Sequence, residues 1–150
     1  MLREKMKERF KIFGCVISLI IKDNKVLMIL RKNKPDSGYY NLVGGRMEEG
    51  ETVPQAIIRE IQEETGLNVN KEDISVVSTL HRLCDNGNYN SIEFVTLIKN
   101  FTGMPQNLEP QFCEKLAWID INNMPENISP YARTAIENYK NKIVFSEIDY

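Results

Sequence analysis

The sequence has little of what disulfide frameworks, zinc sites and histidine-based catalysis are built from. It holds three cysteines, Cys15, Cys84 and Cys113, and one histidine, His81, in 150 residues. With no CxxC pair and an odd cysteine left over, neither a disulfide framework nor a structural zinc site is expected, and the cysteines read as plain thiols. A lone histidine is more often structural or superficial than catalytic. Excess positive charge is missing too: 19 Lys and Arg against 21 Asp and Glu leave a net charge of -2. That excludes the basic footprint of a protein that binds a long nucleic acid. Long apolar runs are also absent. The stretch from Ile12 to Ile21 contains Gly14, Cys15 and Ser18 and stops at Lys22-Asp23-Asn24, so it neither spans a bilayer nor reads as a signal peptide. A cytoplasmic protein without membrane contact is the expectation.

What is present suits one packed domain over residues 1–150. Hydrophobic residues make up 42% and charged residues 27%, and a chain of this length buries about two thirds of the surface its unfolded form exposes. The opening MLREKMKERFK reads as a leader or short helix. Aliphatic and β-branched residues from Ile12 to Ile21 and from Lys25 to Arg31, with Lys22-Asp23-Asn24 between them, predict a β-hairpin. Tyr39 to Val43 predicts a strand running into Gly44-Gly45, where the backbone turns sharply or sits close to something. A second hairpin is expected from Ile74 to Leu83 and Ser91 to Ile98, joined through the turn signal Asn86-Gly87. A strand over Leu116 to Ile121 and a closing helix over Pro130 to Lys142 complete the chain.

The informative stretch is residues 59–67, REIQEETGL. Thr52 with Gln55 three residues later forms a capping-box pattern and Gly66 supplies a stop, so a helix is expected from Val53 to Thr65. At about 100° per residue from Val53, Ala56 falls at about 300°, Ile57 at about 40° and Ile61 at about 80°. Glu60 at about 340° and Glu64 at about 20° therefore lie inside the apolar arc. An acidic surface helix would place its carboxylates on the opposite side. Glu60 and Glu64 are also a like-charge pair at i,i+4 with no basic residue at i±4, whereas Arg59 can pair with Glu63. Carboxylates clustered without histidine suit a hard divalent cation, Mg²⁺ or Mn²⁺, better than zinc.

Read backwards, the chain runs Gly45, five residues, Glu51, seven residues, then Arg59-Glu60-Ile61-Gln62-Glu63-Glu64-Thr65-Gly66-Leu67. This spacing resembles the signature box of the Nudix hydrolases at every specified position. The preceding hairpin, Arg31, the Gly44-Gly45 pair and the stretch from Glu109-Pro110 through Trp118 to Met124-Pro125 are also similar to the family, so the likeness covers most of the chain. It departs upstream, with Tyr40-Asn41-Leu42-Val43 where many members carry Trp-x-Leu-Pro.

The resemblance implies an α/β Nudix fold, a mixed β-sheet between α-helices, and Mg²⁺-dependent attack of water on the diphosphate of a small nucleoside diphosphate derivative; it allows a homodimer. It implies Glu60, Glu63, Glu64 and the Gly44 carbonyl as metal ligands, Glu60 as base, Arg59 as the group that holds Glu60, and Glu51 as an anchor of loop or helix. Arg31 is a candidate phosphate contact against the reading of a solvated strand end. Glu93 is either a further site acid or substrate contact, or an outward-facing strand residue. Trp118 and Tyr40 are more simply core than base-stacking groups. A non-catalytic module of the same fold that binds a nucleotide or nucleotide sugar is the alternative, although such a module is expected to lose the metal acids or gain a second domain. An isoprenoid diphosphate isomerase of this architecture should carry additional Cys and Glu motifs that are not found.

Overall fold

The computed structural model describes residues 10–84 and 87–149. The opening leader falls largely outside them, as does Asn86 of the second turn. The strands are β1 (Phe13–Lys22), β2 (Lys25–Arg31), β3 (Tyr40–Arg46), β4 (Ile74–Cys84), β5 (Tyr89–Ile98), β6 (Cys113–Asp120) and β7 (Phe145–Asp149); the helices are α1 (Val53–Thr65) and α2 (Pro130–Asn141). The strands lie in the order β6-β2-β3-β1-β5-β4-β7.

The first hairpin closes through Asp23 and Asn24, both left-handed at φ 52° and 60°, the pair of conformations that a two-residue turn matching strand twist requires. Its two strands stay paired only at Ile21–Val26 and Lys22–Lys25. Beyond that they part, because both are buried on both faces and each needs two partners. β3 fills the gap: Tyr40 to Leu42 pair with Leu30 to Met28, and Val43 to Arg46 pair with Ser18 to Cys15. On its other side β1 runs parallel to β5 from Phe13–Ser91 to Ile20–Ile98. A continuous apolar sequence such as VISLII is what a strand covered on both faces demands.

Alternation along β1 separates two cores. Ile17, Leu19 and Ile21 pack with Tyr131, Ala132, Ala135 and Ile136 of α2, while Val16 and Ile20 pack with Ala56, Ile57 and Ile61 of α1. The result is the expected mixed sheet between helices. α1 has the anticipated limits for the anticipated reasons: Thr52 Oγ1 accepts from the Gln55 N–H, the Thr52 N–H donates to Gln55 Oε1, and Gly66 ends the helix at φ 74°. Asn138 of α2 donates from Nδ2 to the hydroxyls of Ser78 on β4 at 3.1 Å and Ser146 on β7 at 3.0 Å. α2 is thereby tied to the edge of the sheet.

Two expectations needed adjustment. β6 starts at Cys113 rather than Leu116, and β7, which pairs parallel with β4, has no counterpart in the sequence reading. The segment 145–149 is short and mixes polar and apolar residues, so its pairing is decided by the free edge of β4 rather than by its own pattern. At Gly44-Gly45 the strand continues straight through, and close approach is what the glycines permit. A Cβ on Gly44 would stand 2.1 Å from the Val16 carbonyl oxygen. Gly44→Ala is therefore expected to force β1 and β3 apart and to destabilise the protein by about 3 kcal/mol or more. Urea unfolding followed by far-ultraviolet circular dichroism measures this; a loss below about 1 kcal/mol would contradict the close approach.

Candidate active site

Arg59, on the turn of α1 that faces β3, gathers the site. Its guanidinium grips Glu51 in a two-point contact, Nε to Oε1 and Nη2 to Oε2. Nη1 donates to Glu60 Oε1 at 2.8 Å and to Glu63 Oε2 at 3.3 Å, and Nη2 reaches the Arg46 carbonyl at 3.1 Å. Glu51 also accepts from the Glu48 N–H at 2.8 Å, so the loop between β3 and α1 is clamped at both ends. The planar fork of arginine is suited to this, since two parallel charge-assisted bonds fix orientation as well as distance. The Arg59 hydrogen bonds, followed by the Glu48 N–H, lower the Glu51 carboxyl to about 2. In turn Glu51, and after it Glu60, raise Arg59 further above its already basic range, against a smaller opposing effect of burial.

Glu60 lies against bare backbone. Its side chain is 13% exposed, and a Cβ on Gly45 would come within 2.4 Å of its Oε1. Burial raises the Glu60 pKa, with Arg59 opposing and Glu63 and Glu109 adding to the rise. One turn on, the Glu64 carboxyl is pushed well above the usual range by burial and then by Glu60 and Glu109, against smaller opposing effects of the Gly44 backbone and Arg31. Glu64 Oε2 is buried with no hydrogen-bond partner in the structure.

Glu109 is the site acid that sequence reasoning did not single out. The Gln106 N–H donates to the Thr65 carbonyl at 2.9 Å and the Leu108 N–H to the Glu64 carbonyl at 3.3 Å, so this loop docks on carbonyls that the end of α1 leaves free. A local turn, with the Glu109 carbonyl accepting from Phe112 and Cys113, then holds the residue beside Glu64. No periodicity marks a loop acid of this kind.

The structure thus brings Glu60, Glu64 and Glu109 into electrostatic contact, and leaves Glu63 51% exposed and turned toward Arg59. As arranged, no three His, Cys, Asp or Glu groups among the described residues converge closely enough to enclose an ion. The chemistry of the group nevertheless suits a hard divalent cation: all donors are oxygen, two neighbouring carboxylates are desolvated, and Glu64 Oε2 has no hydrogen-bond partner.

Beside Gly44 and Gly45 opens a cavity of about 880 Å³, with Arg31 and Arg46 also in its wall. Arg31 is near enough to Glu64 to lower its pKa. Glu93 is not the outward-facing residue that one reading allowed. It is 2% exposed, lines the cavity, and accepts from Arg82 Nη1 at 2.7 Å and Ser91 Oγ at 3.1 Å. The Arg82 guanidinium stands over the rings of Tyr131 at 4.5 Å and Tyr89 at 5.2 Å. Burial, and then Glu93, push the Cys15 thiol up to about 11, which makes it a poor nucleophile. All three cysteines are free and buried. Trp118 stacks on Phe101 at 6.0 Å in the α1-side core and Tyr40 packs in the α2-side core; neither lines the cavity. His81 pairs with Asn90 at 2.9 Å.

The Glu51–Arg59 contact has a pH signature. Because the folded-state pKa of Glu51 is depressed to about 2, its contribution is complete above the unfolded value of about 4.5 and is lost as pH falls from there toward 2. Glu51→Gln should flatten this acid limb, so that thermal midpoints of variant and wild type converge as pH drops from 5 toward 2. Parallel curves over that window would contradict the assignment.

Residues 13–139 match the NUDIX domain model. The chain is 58% identical over 52 residues to the ADP-ribose pyrophosphatase of Methanocaldococcus jannaschii, a segment that covers 35% of this chain and 31% of that protein. It is 28% identical over 132 residues to the NAD-capped RNA hydrolase NudC of Vibrio atlanticus, covering 85% of this chain and 45% of that one. It thus spans less than half the length of either curated relative. The solved structure of a MutT NUDIX hydrolase from Burkholderia pseudomallei superposes with a TM-score of 0.79 at 27% identity, over 85% of this chain and 98% of that one. With the signature residues assembled on α1 and β3 and the domain match running from β1 into α2, the chain belongs to the Nudix hydrolase family.

Proposed function

We propose that this protein hydrolyses a diphosphate linkage in a nucleoside diphosphate derivative, a (d)NTP or related nucleotide, to a nucleoside monophosphate and the remaining phosphate moiety, with Mg²⁺ or Mn²⁺ as the cation. The observation that carries this reading is the position of Glu60 and Glu64 against the side-chain-free strip Gly44-Gly45, which itself lines the large cavity. Both curated relatives are named for nucleotide-derived substrates, which supports the substrate class.

A divalent cation bound at this site neutralises diphosphate charge and acidifies water. The residues that would hold it are Glu60, Glu64 and the Gly44 carbonyl, with Glu63 at the exposed rim and Glu109 across from them. Glu60 is the proton acceptor, its carboxylate held against Gly45 by the 2.8 Å bond from Arg59 Nη1. Arg59 holds one oxygen of Glu60 and leaves the other to face the substrate. Arg31 contacts phosphate from the cavity wall, and Glu93 contacts the nucleoside half deeper in.

A panel of nucleoside triphosphates, nucleotide sugars, dinucleoside polyphosphates and ADP-ribose, assayed with Mg²⁺ and Mn²⁺ and with products weighed by mass spectrometry in ¹⁸O water, tests the reading. Turnover is expected for at least one nucleotide, and Glu60→Gln should lower it about 10²–10⁴-fold. Absence of any Glu60-dependent turnover across the panel sinks the hydrolase assignment.

Glu64 gives a separate readout in stability. A carboxyl whose pKa is raised on folding loses native-state stability as pH rises from the unfolded value of about 4.5 through the raised folded one, so Glu64→Gln should raise the thermal midpoint of the chelator-treated protein at pH 8. The same variant should lose most of the stabilisation that millimolar Mg²⁺ gives the wild type. Differential scanning calorimetry with and without Mg²⁺ measures both effects; an unchanged Mg²⁺ response would remove Glu64 from the site.

A further inference from the structure

Two buried polar atoms on residues of the cavity wall have no hydrogen-bond partner among the described residues, and they complement each other: Arg31 Nε is a donor and Asn41 Oδ1 an acceptor. The sheet makes their residues neighbours. Ile29 of β2 pairs with Asn41 of β3 and Leu30 with Tyr40, and the ladder continues as the Arg31 N–H donates to the Tyr39 carbonyl at 2.9 Å. Arg31 thus stands on the diagonal from Asn41, a separation that a long side chain spans. Both belong to the α1 side of the sheet. Ile29, two positions before Arg31, and Val43, two positions after Asn41, pack in the α1-side core, and Arg31 is near enough to Glu64 of α1 to lower its pKa.

Asn41 is 6% exposed, and charge fixes which of its amide atoms is left over. Its Nδ2 donates to Asp36 Oδ2 at 3.1 Å; turned over, Oδ1 would meet that carboxylate, an acceptor against an anion. Asp36 therefore keeps Oδ1 available to accept. A guanidinium held at Nε by a fixed acceptor keeps its Nη groups for a second partner, and its planar fork transmits the orientation.

Resting on the hydrolase reading, in which Arg31 contacts phosphate, and deepening it, we propose that Asn41 is the positioning residue for Arg31. As phosphate draws the guanidinium in, Arg31 Nε closes on Asn41 Oδ1 and the Nη groups are aimed at the phosphate oxygens. Asp36 acts one bond further back, by holding the amide. Binding then pairs two buried atoms that are otherwise unmatched, which strengthens the contact beyond what the arginine charge alone supplies.

A double-mutant cycle tests this relay. kcat/KM with Mg²⁺ is measured for wild type, Asn41→Leu, Arg31→Met and the double variant, on whichever nucleotide of the panel the wild type turns over best. Asn41→Leu should cost about tenfold or more where Arg31 is present, and less than about twofold in the Arg31→Met background. A merely structural role for Asn41 would cost the same factor in both. In parallel, nuclear magnetic resonance follows the Arg31 Nε–H, identified by its disappearance in Arg31→Met. With Mg²⁺ and inorganic pyrophosphate its exchange with water should slow in the wild type and stay fast in Asn41→Leu. Equal costs of Asn41→Leu in the two backgrounds overturn the proposal, and so does Nε–H exchange that is the same in wild type and Asn41→Leu. Failure of the hydrolase reading would look different: no Glu60-dependent turnover on any nucleotide, with the Nε–H measurement alone then deciding the relay.

Discussion

The five-point grip of Arg59 is the interaction on which the rest of the site depends. One guanidinium joins the loop entering α1 through Glu51, the helix through Glu60 and Glu63, and β3 through the Arg46 carbonyl. Without it, the carboxylates of Glu51, Glu60 and Glu63 would repel one another, and the loop entering α1 would lose its link to the sheet. Lysine could not replace it, because a point charge on a flexible stem cannot hold three acids and a carbonyl in fixed directions.

The second constraint is steric and works with the first. Gly44 and Gly45 leave a stretch of β3 without side chains, so β1 can lie close on one side and Glu60 can rest on the backbone on the other. Glu60 then loses water, and its charge is tolerated because Arg59 is bonded to it. Glu64 has no such partner, and its proton is correspondingly hard to remove. Two acids one helical turn apart are therefore prepared differently by their surroundings, which is how a single helix face can supply groups with distinct tasks.

Much of this was legible in the sequence because it is local. The capping box, Gly66, the limits of α1 and the placement of Glu60 and Glu64 in the apolar arc all follow from spacing along one helix. The turn at Lys22-Asp23-Asn24 was likewise visible, though not its left-handed backbone. What the sequence concealed depends on distant partners. β7 exists because β4 has a free edge, Glu109 joins the acids because its loop caps α1, and Arg82 matters because β4 and β5 place it beside Glu93 between two tyrosine rings. None of these has a period or a neighbouring residue that announces it. Trp118 and Tyr40, the aromatics most visible in the sequence, belong to the two cores instead.

The docking of residues 106–109 on the end of α1 has an evolutionary side. The loop is held there by its own amides on the carbonyls of Glu64 and Thr65, with the Asn107 side chain bracing its shape through the Cys113 carbonyl and the Glu109 N–H. Insertions or substitutions around Met104 and Gln106 could remodel the approach to the acids while Glu109 kept its place. An anchorage made by backbone amides leaves the side chains of Met104 and Gln106 open to exchange.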